Sequence, residues 1–486
     1  MDGDGDAALL PRHIPNGGLA AWTRVAAYAC CCLGTLGIQY CYGLLYVELV
    51  ESLHTSQEQV ALIGSMSICV LLFMAPCSKL VVGRLGAQRA AATGGIVAAS
   101  GLAMSAAATQ PWHMCITFGI IVGCGHSLGS YAPLSLMSAW FDSRLGLALG
   151  AANSATAFAP LVLGAVGPRL LAAIGWRHAL LGLAVIDLGL LCGASVLLTP
   201  PDGAAPVGGA ARGLSPSRGP VPLATSAAAR QLLRVLIKPP VLWLGLMLLL
   251  YGGAGWVPIV HIVKLGLERG LDRASASRLL TSLALGNGTL RVPAGLLGDR
   301  IGRSAAFTLL LGCYAVLDVA CSFAHGHQAA DSFLPVFAFL AGGLTGGCNV
   351  LTATLPFDVL SRAEADVAMS LVFPFLGIGT LFGPVGAAAL HTRTGSYDSV
   401  LLGAGALLLL ATAMSMCVWL VARGRRAHTV PASTASAESA SGSRSHSDVQ
   451  TSGSRSHSDV HTSGSRSHSD VALVDVAINP VSTRAP

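Results

Sequence analysis

Charged residues are scarce in this chain of 486 residues, since Lys, Arg, Asp and Glu together make up only 11% of it. Soluble globular proteins carry about 25% of these residues, so the composition excludes a soluble protein of this length. Hydrophobic residues make up 53% of the chain. They fall in repeated apolar stretches of about 20 residues or more, whereas the strands of a membrane barrel would be about 10 residues long and alternating. The sequence therefore predicts an all-α integral membrane protein.

The chain also lacks the patterns on which enzymes and metalloproteins depend. We recognise no nucleophile and base pair, no metal cluster and no phosphate-binding glycine loop, so we expect no enzyme activity, no metal and no cofactor. Most of the 13 cysteines, including Cys30, Cys31, Cys32 and Cys69, fall inside predicted spans without metal-ligand spacing. We interpret them as small packing residues. The formal charge of +6 informs the membrane topology and is not evidence for a nucleic-acid partner.

About twelve membrane spans can be placed along the chain, six on each side of a polar linker. They lie near residues 25–49, 59–82, 88–108, 112–138, 145–170, 176–198, 240–264, 276–298, 304–324, 332–357, 366–390 and 397–421. The linker is rich in Pro, Gly, Ala, Ser and Arg. The predicted organisation is an N-terminal tail 1–24, a six-helix half 25–198, a linker 199–239, a second six-helix half 240–421 and a tail 422–486.

Basic residues indicate which side of the membrane each turn faces. Arg84, Arg144, Arg300, Arg303 and the linker arginines fall on one face, which the positive-inside rule assigns to the cytoplasm. The opposite face also carries basic residues such as Lys264, so the bias is a net one. An even number of spans puts both termini on the cytoplasmic side. We therefore predict a multi-pass protein of the plasma membrane with both termini in the cytoplasm.

The tail after the last span contains an eleven-residue unit in three copies, SGSRSHSDVQT, SGSRSHSDVHT and SGSRSHSDVAL. Each copy offers almost nothing to bury, so we expect the tail to be disordered. Its Ser and His residues leave two functions open: a passive tail, or a segment that is phosphorylated, binds metal or recruits partners.

The stretch from Ala276 to Arg303 places one permanently charged residue, Arg291, inside a predicted span. A helix over 276–298 would be about 34 Å long, enough to cross a bilayer. A guanidinium within the membrane is costly unless it faces a cavity, a counter-ion or water, so we interpret Arg291 as functional. The alternatives are that it reaches to the membrane interface or pairs with a structural partner.

The same stretch ends in a charged turn that is suited to a gate. In Gly295-Leu-Leu-Gly-Asp299-Arg300-Ile-Gly302-Arg303, the acid and the arginines can form ion pairs that break when two halves rock. The matching turn of the first half has Gly83 in place of the acid and keeps Arg84. We expect the gate to involve Asp299, Arg300, Arg303, Arg84 and Arg144, with a weaker first-half contact.

Glycines at four-residue spacing recur within the predicted spans. Pairs such as Gly146 with Gly150, and Gly342 with Gly346, place two glycines on one helix face. Small residues at this spacing let helix backbones approach closely in lipid. They predict tight helix packing and say little about a ligand.

Two six-span halves joined by a basic linker, together with the Asp299 turn, resemble the major facilitator superfamily. Within it, the chain resembles the monocarboxylate transporter family over most of residues 15–421. The stretches that carry this resemblance are Pro15-Asn-Gly-Gly18 followed by Trp22, Tyr42-Gly43-Leu-Leu-Tyr46-Val-Glu48, Trp140-Phe141-Asp-Ser-Arg144-Leu-Gly-Leu-Ala148-Leu-Gly150, Gly175-Trp176-Arg177, Val257-Pro258-Ile-Val-His261, Gly383-Pro384 and Thr394-Gly395-Ser-Tyr397-Asp398.

The resemblance implies that Arg291 binds the carboxylate of the substrate. In proton-coupled members of the family, an Asp one turn earlier takes part in proton coupling, and here that position is Asn287. The family also has a Lys in the first span, which this chain lacks; Tyr40 and Tyr42 occupy that neighbourhood. The resemblance therefore implies carboxylate binding and puts proton coupling in doubt.

Other polar and aromatic residues of the spans complete the candidate site. His261, Tyr131, Asn153, Asn349, Asp358 and Phe373 are candidates for the wall of a substrate cavity. His126, Asp187 and Asp318 are possible proton carriers inside their spans. For each of the three, a structural role as a hydrogen-bonded or protonated core residue is favoured over proton transfer.

The sequence thus predicts a transporter that moves small monocarboxylates by alternating access, with facilitated diffusion or exchange favoured over tight proton symport. Aromatic amino acids or other larger organic anions form the alternative substrate class. A non-transporting membrane receptor or scaffold is the alternative function. The expected partners are a small organic anion, with or without a proton, and the lipid bilayer; a single-span accessory subunit is left open.

Overall fold

The structure is a computed structural model that describes residues 16–201, 223–324 and 327–429. Three predicted regions lie wholly or partly outside these residues: the N-terminal tail up to residue 15, the linker at 202–222 and the repeat-bearing tail from 430 onward. Of the predicted linker, the part that is described contains a helix, Leu223–Leu236.

Helices make up both halves of the described chain. Those of the first half are α1 (Gly18–Cys32), a π-helical segment (Leu33–Gly37), α2 (Ile38–Tyr40), α3 (Tyr42–Ser52), α4 (Gln57–Phe73), α5 (Ala75–Ala106), α6 (Pro111–Met114), a second π-helical segment (Cys115–Val122), α7 (Gly123–Trp140), α8 (Leu145–Ser154), a 3₁₀ turn (Ala155–Ala157) and α9 (Phe158–Ser195). The linker helix is α10 (Leu223–Leu236), and the second half contains α11 (Pro239–Gly255), α12 (Val257–Glu268), α13 (Arg273–Thr289), α14 (Arg291–Ile301), α15 (Arg303–Ser322), α16 (His327–Thr352), α17 (Pro356–Val359), α18 (Arg362–Thr394) and α19 (Tyr397–Thr429).

Two of the long helices contain a turn between predicted spans. α5 bends at Gly86, where φ is 79°, and α9 bends at Gly175, where φ is 72°. Glycine enters this left-handed region without a steric penalty, so the chain changes direction at these two positions. Both bends fall between predicted spans, the first between 59–82 and 88–108 and the second between 145–170 and 176–198.

Within the described residues, nine helices are long and apolar enough to cross a membrane, or ten if the bent pair Leu62–Phe73 and Ala75–Ala106 forms one span. The predicted second and third spans both fall within that pair. The predicted eighth span, 276–298, is not among the ten. A count of twelve spans therefore stays a prediction.

The single helix considered for 276–298 is wrong, because the chain breaks at Leu290. α13 has 17 residues and α14 has 11, both shorter than the roughly 20 residues of a membrane span. Pro293 explains the break: it has no N–H to donate to the carbonyl of Thr289, four residues earlier, and its ring crowds that carbonyl. The break places Arg291 at the first residue of α14.

The two halves meet mainly along two helix pairs. α8 packs against α14, and α4 packs against α18. Inside the first half α5 contacts α7 and α9, and inside the second half α11 contacts α18 while α15 contacts α19. Residues on α4, α8, α14 and α18 therefore lie near the contact between halves.

Large apolar side chains face outward from the bundle. Val185 is 71% exposed, Phe382 63% and Val316 62%. A soluble monomer rarely exposes extensive apolar surface, whereas a lipid-facing surface requires it. The outward-facing residues agree with the integral membrane protein predicted from composition.

Candidate substrate site and gate

A cavity lies between the two halves, lined by residues of α1, α4, α7 and α8 from the first half and α14, α16 and α18 from the second. Its volume is about 110 Å³, counted as the space open to the centre of a water molecule. Most of the lining is apolar, and a few polar groups point into it, which is typical of small-molecule sites. The predicted residues that line it are Arg291, Tyr40, Tyr131, Asn153, Asn349 and Phe373.

Arg291 is held at the wall of this cavity by both halves of the protein. Its Nη1 donates to the carbonyl oxygen of Asn153 at 2.5 Å and to Thr156 Oγ1 at 2.6 Å, and its Nη2 donates to Asn287 Oδ1 at 2.6 Å. The side chain is only 1% exposed. Arg291 therefore bridges the end of α8 and the end of α13 from the first turn of α14.

The charge of Arg291 has no acidic hydrogen-bond partner among the described residues. Its three acceptors are a carbonyl, a hydroxyl and an amide oxygen, and its Nε donates to no described group. A buried charge without a counter-charge costs several kcal/mol, on the order of the penalty for any buried unpaired ion. A carboxylate that enters the cavity would supply the missing negative charge and can accept more than one N–H from the guanidinium.

Asn287 orients Arg291 and does not line the cavity. It is 6% exposed, and its Nδ2 donates to the carbonyl oxygen of Gly342 at 3.1 Å while its Oδ1 accepts from Arg291. The amide thus fixes the guanidinium to α16. Asn287 and Arg291 were predicted to share one wall of the cavity. In the structure only Arg291 lines the cavity, and Asn287 contacts it directly from the side away from the cavity.

Two other predicted substrate residues lie away from the cavity. Tyr42 donates its hydroxyl to the carbonyl oxygen of Val60 at 2.8 Å and packs on Phe118. His261 is buried; its Nδ1 lies 3.2 Å from the Tyr397 hydroxyl and its Nε2 lies 3.1 Å from the carbonyl oxygen of Pro384. The structure gives both side chains roles in packing between helices of their own half.

The three predicted proton carriers fall in different surroundings. His126 on α7 and Asp187 on α9 form a fully buried pair, with 3.1 Å between Nε2 and Oδ2. Asp318 on α15 is also fully buried, and neither of its carboxylate oxygens accepts a hydrogen bond from a described group. The structure therefore brings two of these residues together and leaves the third apart.

Asp299 caps the first turn of α8 across the contact between halves. Its Oδ1 accepts the backbone N–H of Gly146 and its Oδ2 that of Leu147, both at 2.8 Å. These are among the N–H groups that a helix leaves unpaired at its N-terminus, where a negative charge is also favoured. Asp299 lies just after the predicted span 276–298. Its partial burial raises its pKa, while the hydrogen bonds from the two backbone amides and the charge of Arg303 lower it.

A second set of contacts lies at the same end of the bundle, which we call the Asp299 end. Arg303 donates to the carbonyl oxygen of Asp142 at 3.0 Å. Arg362 donates to the Asp142 carboxylate at 3.0 Å and to the carbonyl oxygen of Ser138 at 2.6 Å. In the described residues, the hydrogen bonds between the halves run from the level of Arg291 to this end.

The other predicted gate arginines lie outside this seam. Arg300, Arg84 and Arg144 are exposed. Arg144 is the residue that precedes α8, and its side chain does not cap that helix. At the Asp299 end, where the ion pairs of a gate were expected, the contacts are largely those of an acid on a helix N-terminus and of arginines on backbone carbonyls.

Small residues allow α8 and α14 to touch along this seam. A Cβ added to Gly295 would lie 2.1 Å from the carbonyl oxygen of Gly146, and one added to Gly150 would lie 2.6 Å from that of Arg291. Neither contact is possible for a larger residue without movement of the backbone. The predicted packing role of the Gly146 and Gly150 pair is confirmed, and the pair also positions the site.

The sequence matches the Major Facilitator Superfamily over residues 28–272 and 254–457. This chain belongs to the major facilitator superfamily. The two matched regions together cover both six-helix halves.

Curated relatives narrow the resemblance within the superfamily. "Monocarboxylate transporter 13" of Bos taurus is 28% identical over 398 residues, which covers 81% of this chain and 88% of the relative. "Monocarboxylate transporter 11" of Homo sapiens is 28% identical over 424 residues, with 82% and 83% covered. The resemblance to monocarboxylate transporters predicted from the motifs is confirmed at this modest identity.

Solved structures of the superfamily share the fold. The E. coli fucose:proton symporter gives a TM-score of 0.61 at 14% identity, covering 82% of this chain and 99% of that one. The human organic anion transporter MFSD10 gives a TM-score of 0.60 at 15% identity, covering 82% and 100%. The major facilitator fold predicted for this chain is therefore confirmed.

Several residues at or near this candidate site were not predicted. Thr156 binds Arg291, Tyr28 and Trp256 line the cavity, and Gln39 contacts His126. Gln39 and Thr156 are polar residues within apolar runs, which was the available signal. Tyr28 and Trp256 carried no signal, because an aromatic residue in a span is equally typical of packing.

Proposed function

We propose that this protein carries small monocarboxylates across the membrane by alternating access of the cavity between its two halves. The supporting observation is Arg291, a cavity-lining guanidinium whose described hydrogen-bond partners include no carboxylate. A monocarboxylate supplies one negative charge and two acceptor oxygens, which suits one guanidinium. The names of the relatives favour this class over aromatic amino acids or larger anions.

In this proposal the Asp299 end faces the cytoplasm, as the distribution of arginines predicts, and the protein resides in the plasma membrane with both termini inside. The structure then corresponds to a state closed on the cytoplasmic side, since the Asp299 cap and the Arg303 and Arg362 contacts join the halves there. Rocking of the halves breaks these contacts and exposes the cavity to the cytoplasm. Net transport uses neither an acid at position 287 nor a first-span lysine.

Counterflow in proteoliposomes tests the proposal. Full-length protein is reconstituted into vesicles loaded with unlabelled L-lactate or pyruvate, and entry of the labelled compound is followed at equal pH on both sides. We expect exchange by the wild type and its loss in Arg291→Ala, by about two orders of magnitude, since removing one partner of a buried charged contact costs about 2–5 kcal/mol. Arg291→Lys keeps the charge without the planar fork, so we expect intermediate exchange.

Arg278→Ala is the matched control, because Arg278 is an exposed arginine on the neighbouring helix α13. It should exchange like the wild type. Melting temperatures of the purified variants separate loss of binding from loss of folding. Exchange that is absent in the wild type, or unchanged in Arg291→Ala, contradicts the proposal and leaves the receptor or scaffold function.

A further inference from the structure

His126 and Asp187 form a polar pair deep in the first half of the protein. His126 Nε2 and Asp187 Oδ2 are 3.1 Å apart, and both side chains are 0% exposed. The pair joins α7 to α9. A titratable pair at this depth is expensive for a membrane protein and is typical of a proton pathway.

The pair is connected to the first span through an amide. Gln39 Nε2 donates to Ser67 Oγ at 2.6 Å and lies 3.3 Å from His126 Nδ1. Gln39 lies in α2, directly after the π-helical segment Leu33–Gly37. Short π-helical segments occur frequently at functional sites, and this one brings Gly34 close to the carboxylate: a Cβ there would lie 2.8 Å from Asp187 Oδ1.

Two acceptors of this cluster have no donor. Asp187 Oδ1 and Gln39 Oε1 are buried and accept no hydrogen bond from a described group. Each such acceptor costs about 1–3 kcal/mol. A pair serving stability alone gains nothing from these two atoms, whereas a site that changes its protonation state needs an acceptor that is used in only one state.

We propose that His126 and Asp187 form the proton-binding site of this transporter, in place of the acid that Asn287 replaces. The inference rests on the proposed transport function. It assigns the coupling ion to the first half of the protein and the carboxylate to Arg291 at the contact between halves.

The proton step is readable from the donors and acceptors. With Gln39 Nε2 donating, His126 Nδ1 is an acceptor, so Nε2 carries the hydrogen and donates to Asp187. A proton from the cavity binds Nδ1 and converts it to a donor. A half-turn of the Gln39 amide then directs Oε1 at Nδ1–H, which gives this orphan acceptor its donor, and release of the same proton reverses the rotation.

The charge balance couples this step to the substrate. Without the proton, a neutral imidazole and a carboxylate carry a net charge of minus one; with it, the pair is neutral, which a low-dielectric interior favours. A substrate carboxylate at Arg291 adds negative charge to the adjoining cavity and favours the protonated pair. By linkage, the proton then favours the substrate.

Few other ionisable groups face the pair. The thiols of Cys31 on α1 and Cys192 on α9 lie near Asp187. Gln39 on α2 and Ser67 on α4 are neutral. Among the described residues, no hydrogen bond or ion pair links the pair to a lysine or an arginine.

The cavity passes within one residue of the cluster. Tyr40 and Leu36 line it on either side of Gln39, and Ser127 and Ser130 line it beside His126. Ser130 Oγ donates to the carbonyl oxygen of His126 at 2.7 Å. The helices that carry Gln39 and His126 therefore form part of the cavity wall.

The test compares two assays on the same proteoliposomes of full-length protein, with labelled L-lactate as the probe. One assay is counterflow at equal pH. The other is uptake into empty vesicles under an inward proton gradient, with about pH 6 outside and about pH 8 inside. We expect the gradient to accelerate wild-type uptake, and His126→Gln and Asp187→Asn to lose this acceleration while their counterflow stays measurable.

Ser105→Ala is the matched control, because it removes another buried hydrogen bond of the first half, to Thr117, away from the cavity. It should respond to the gradient like the wild type. Gln39→Leu removes the rotating amide, and we expect it to shift the pH at which uptake is half-maximal. If either His126→Gln or Asp187→Asn fails to fold, the other variant and Gln39→Leu test the inference.

The possible failures are distinguishable. A wild type without counterflow overturns the proposed function and this inference with it. A wild type with counterflow but no response to the gradient overturns the inference alone. Retained acceleration in both pair variants also overturns the inference alone. So does a loss of acceleration in Asp318→Asn that the pair variants do not share, because it would place the proton-binding site in the second half.

Discussion

Arg291 Nη2 donates to Asn287 Oδ1 at 2.6 Å, across the break that separates α13 from α14. The two residues are four positions apart, so a helical turn brings them together and the break at Leu290 turns the guanidinium toward α8. A neutral amide therefore holds the charged residue of the candidate site. The described hydrogen-bond acceptors of Arg291 are all neutral.

Replacing this amide by an acid should change the pH dependence of transport. In Asn287→Asp, the new carboxylate pairs with Arg291 and competes with the substrate, so counterflow at neutral pH should fall about tenfold for each 1.4 kcal/mol of competition. Acidification protonates the new acid and should restore exchange. Asn287→Thr is neutral at every pH and should lower exchange by a similar factor throughout; a restored rate in that variant would contradict the explanation.

Removing the cap on α8 should loosen the Asp299 end. Asp299→Ala leaves the N–H groups of Gly146 and Leu147 without their acceptor, which costs about 1–3 kcal/mol. We expect a lower melting temperature in detergent. Arg300→Ala changes the adjacent exposed residue and should melt like the wild type. Equal melting of the two variants would show that the cap does not stabilise this state.

A side chain added between α8 and α14 should push the two halves apart. An alanine at Gly295 places its Cβ 2.1 Å from the carbonyl oxygen of Gly146, and overpacking of this kind costs about 1–3 kcal/mol. Gly295→Ala should therefore melt at a lower temperature and exchange more slowly. Gly182→Ala on α9 is the control, since nothing lies within 4 Å of the added Cβ. It should be neutral or slightly stabilising.

The start of α13 offers a pH-dependent test outside the membrane spans. Asp272 accepts hydrogen bonds from the backbone N–H groups of Ala274 and Ser275. The pKa of Asp272 is lowered by hydrogen bonds, of which the one from the Ser275 side chain contributes most. A lowered pKa contributes stability above the ordinary aspartate value of about 3.9 and loses it as the pH falls through the lowered value. Asp272→Ala should melt below the wild type at neutral pH.

That difference should shrink on acidification to below about pH 4, where the wild-type carboxyl begins to protonate. Asn also caps helices but does not titrate, so Asp272→Asn should show a nearly constant difference from Asp272→Ala. A gap between wild type and Asp272→Ala that does not narrow in acid would mean that the cap acts without its charge.

Local patterns in the sequence were sufficient for much of the fold. Apolar stretches predicted the helices, and the turns at Gly86 and Gly175 fell where polar residues and glycines interrupted them. Pro293 is equally visible in the sequence, but it does not by itself predict a break, because a proline inside a span is often accommodated by neighbouring helices. Whether α13 and α14 form one span or two pieces depended on what packs around Thr289 and Leu290.

Tyr40 and Tyr42 show why the site itself was harder to predict. Both occupied the neighbourhood of the family's missing lysine, but the chain turns at Cys41, so Tyr40 reaches the cavity while Tyr42 packs on Phe118. Residues two positions apart on a helix point to different sides. The side that faces the cavity is set by the packing of whole spans.

Hydropathy, span length and motifs are properties of contiguous residues, so they were enough to predict a helical membrane protein, a functional Arg291 and a resemblance to the monocarboxylate transporters. Which groups contact one another depends on the folded arrangement of the spans. Arg291 reaches Thr156 over 135 positions, Asp299 caps Gly146 over 153, and His126 pairs with Asp187 over 61. Such contacts follow from how the spans pack against one another, which no local pattern encodes.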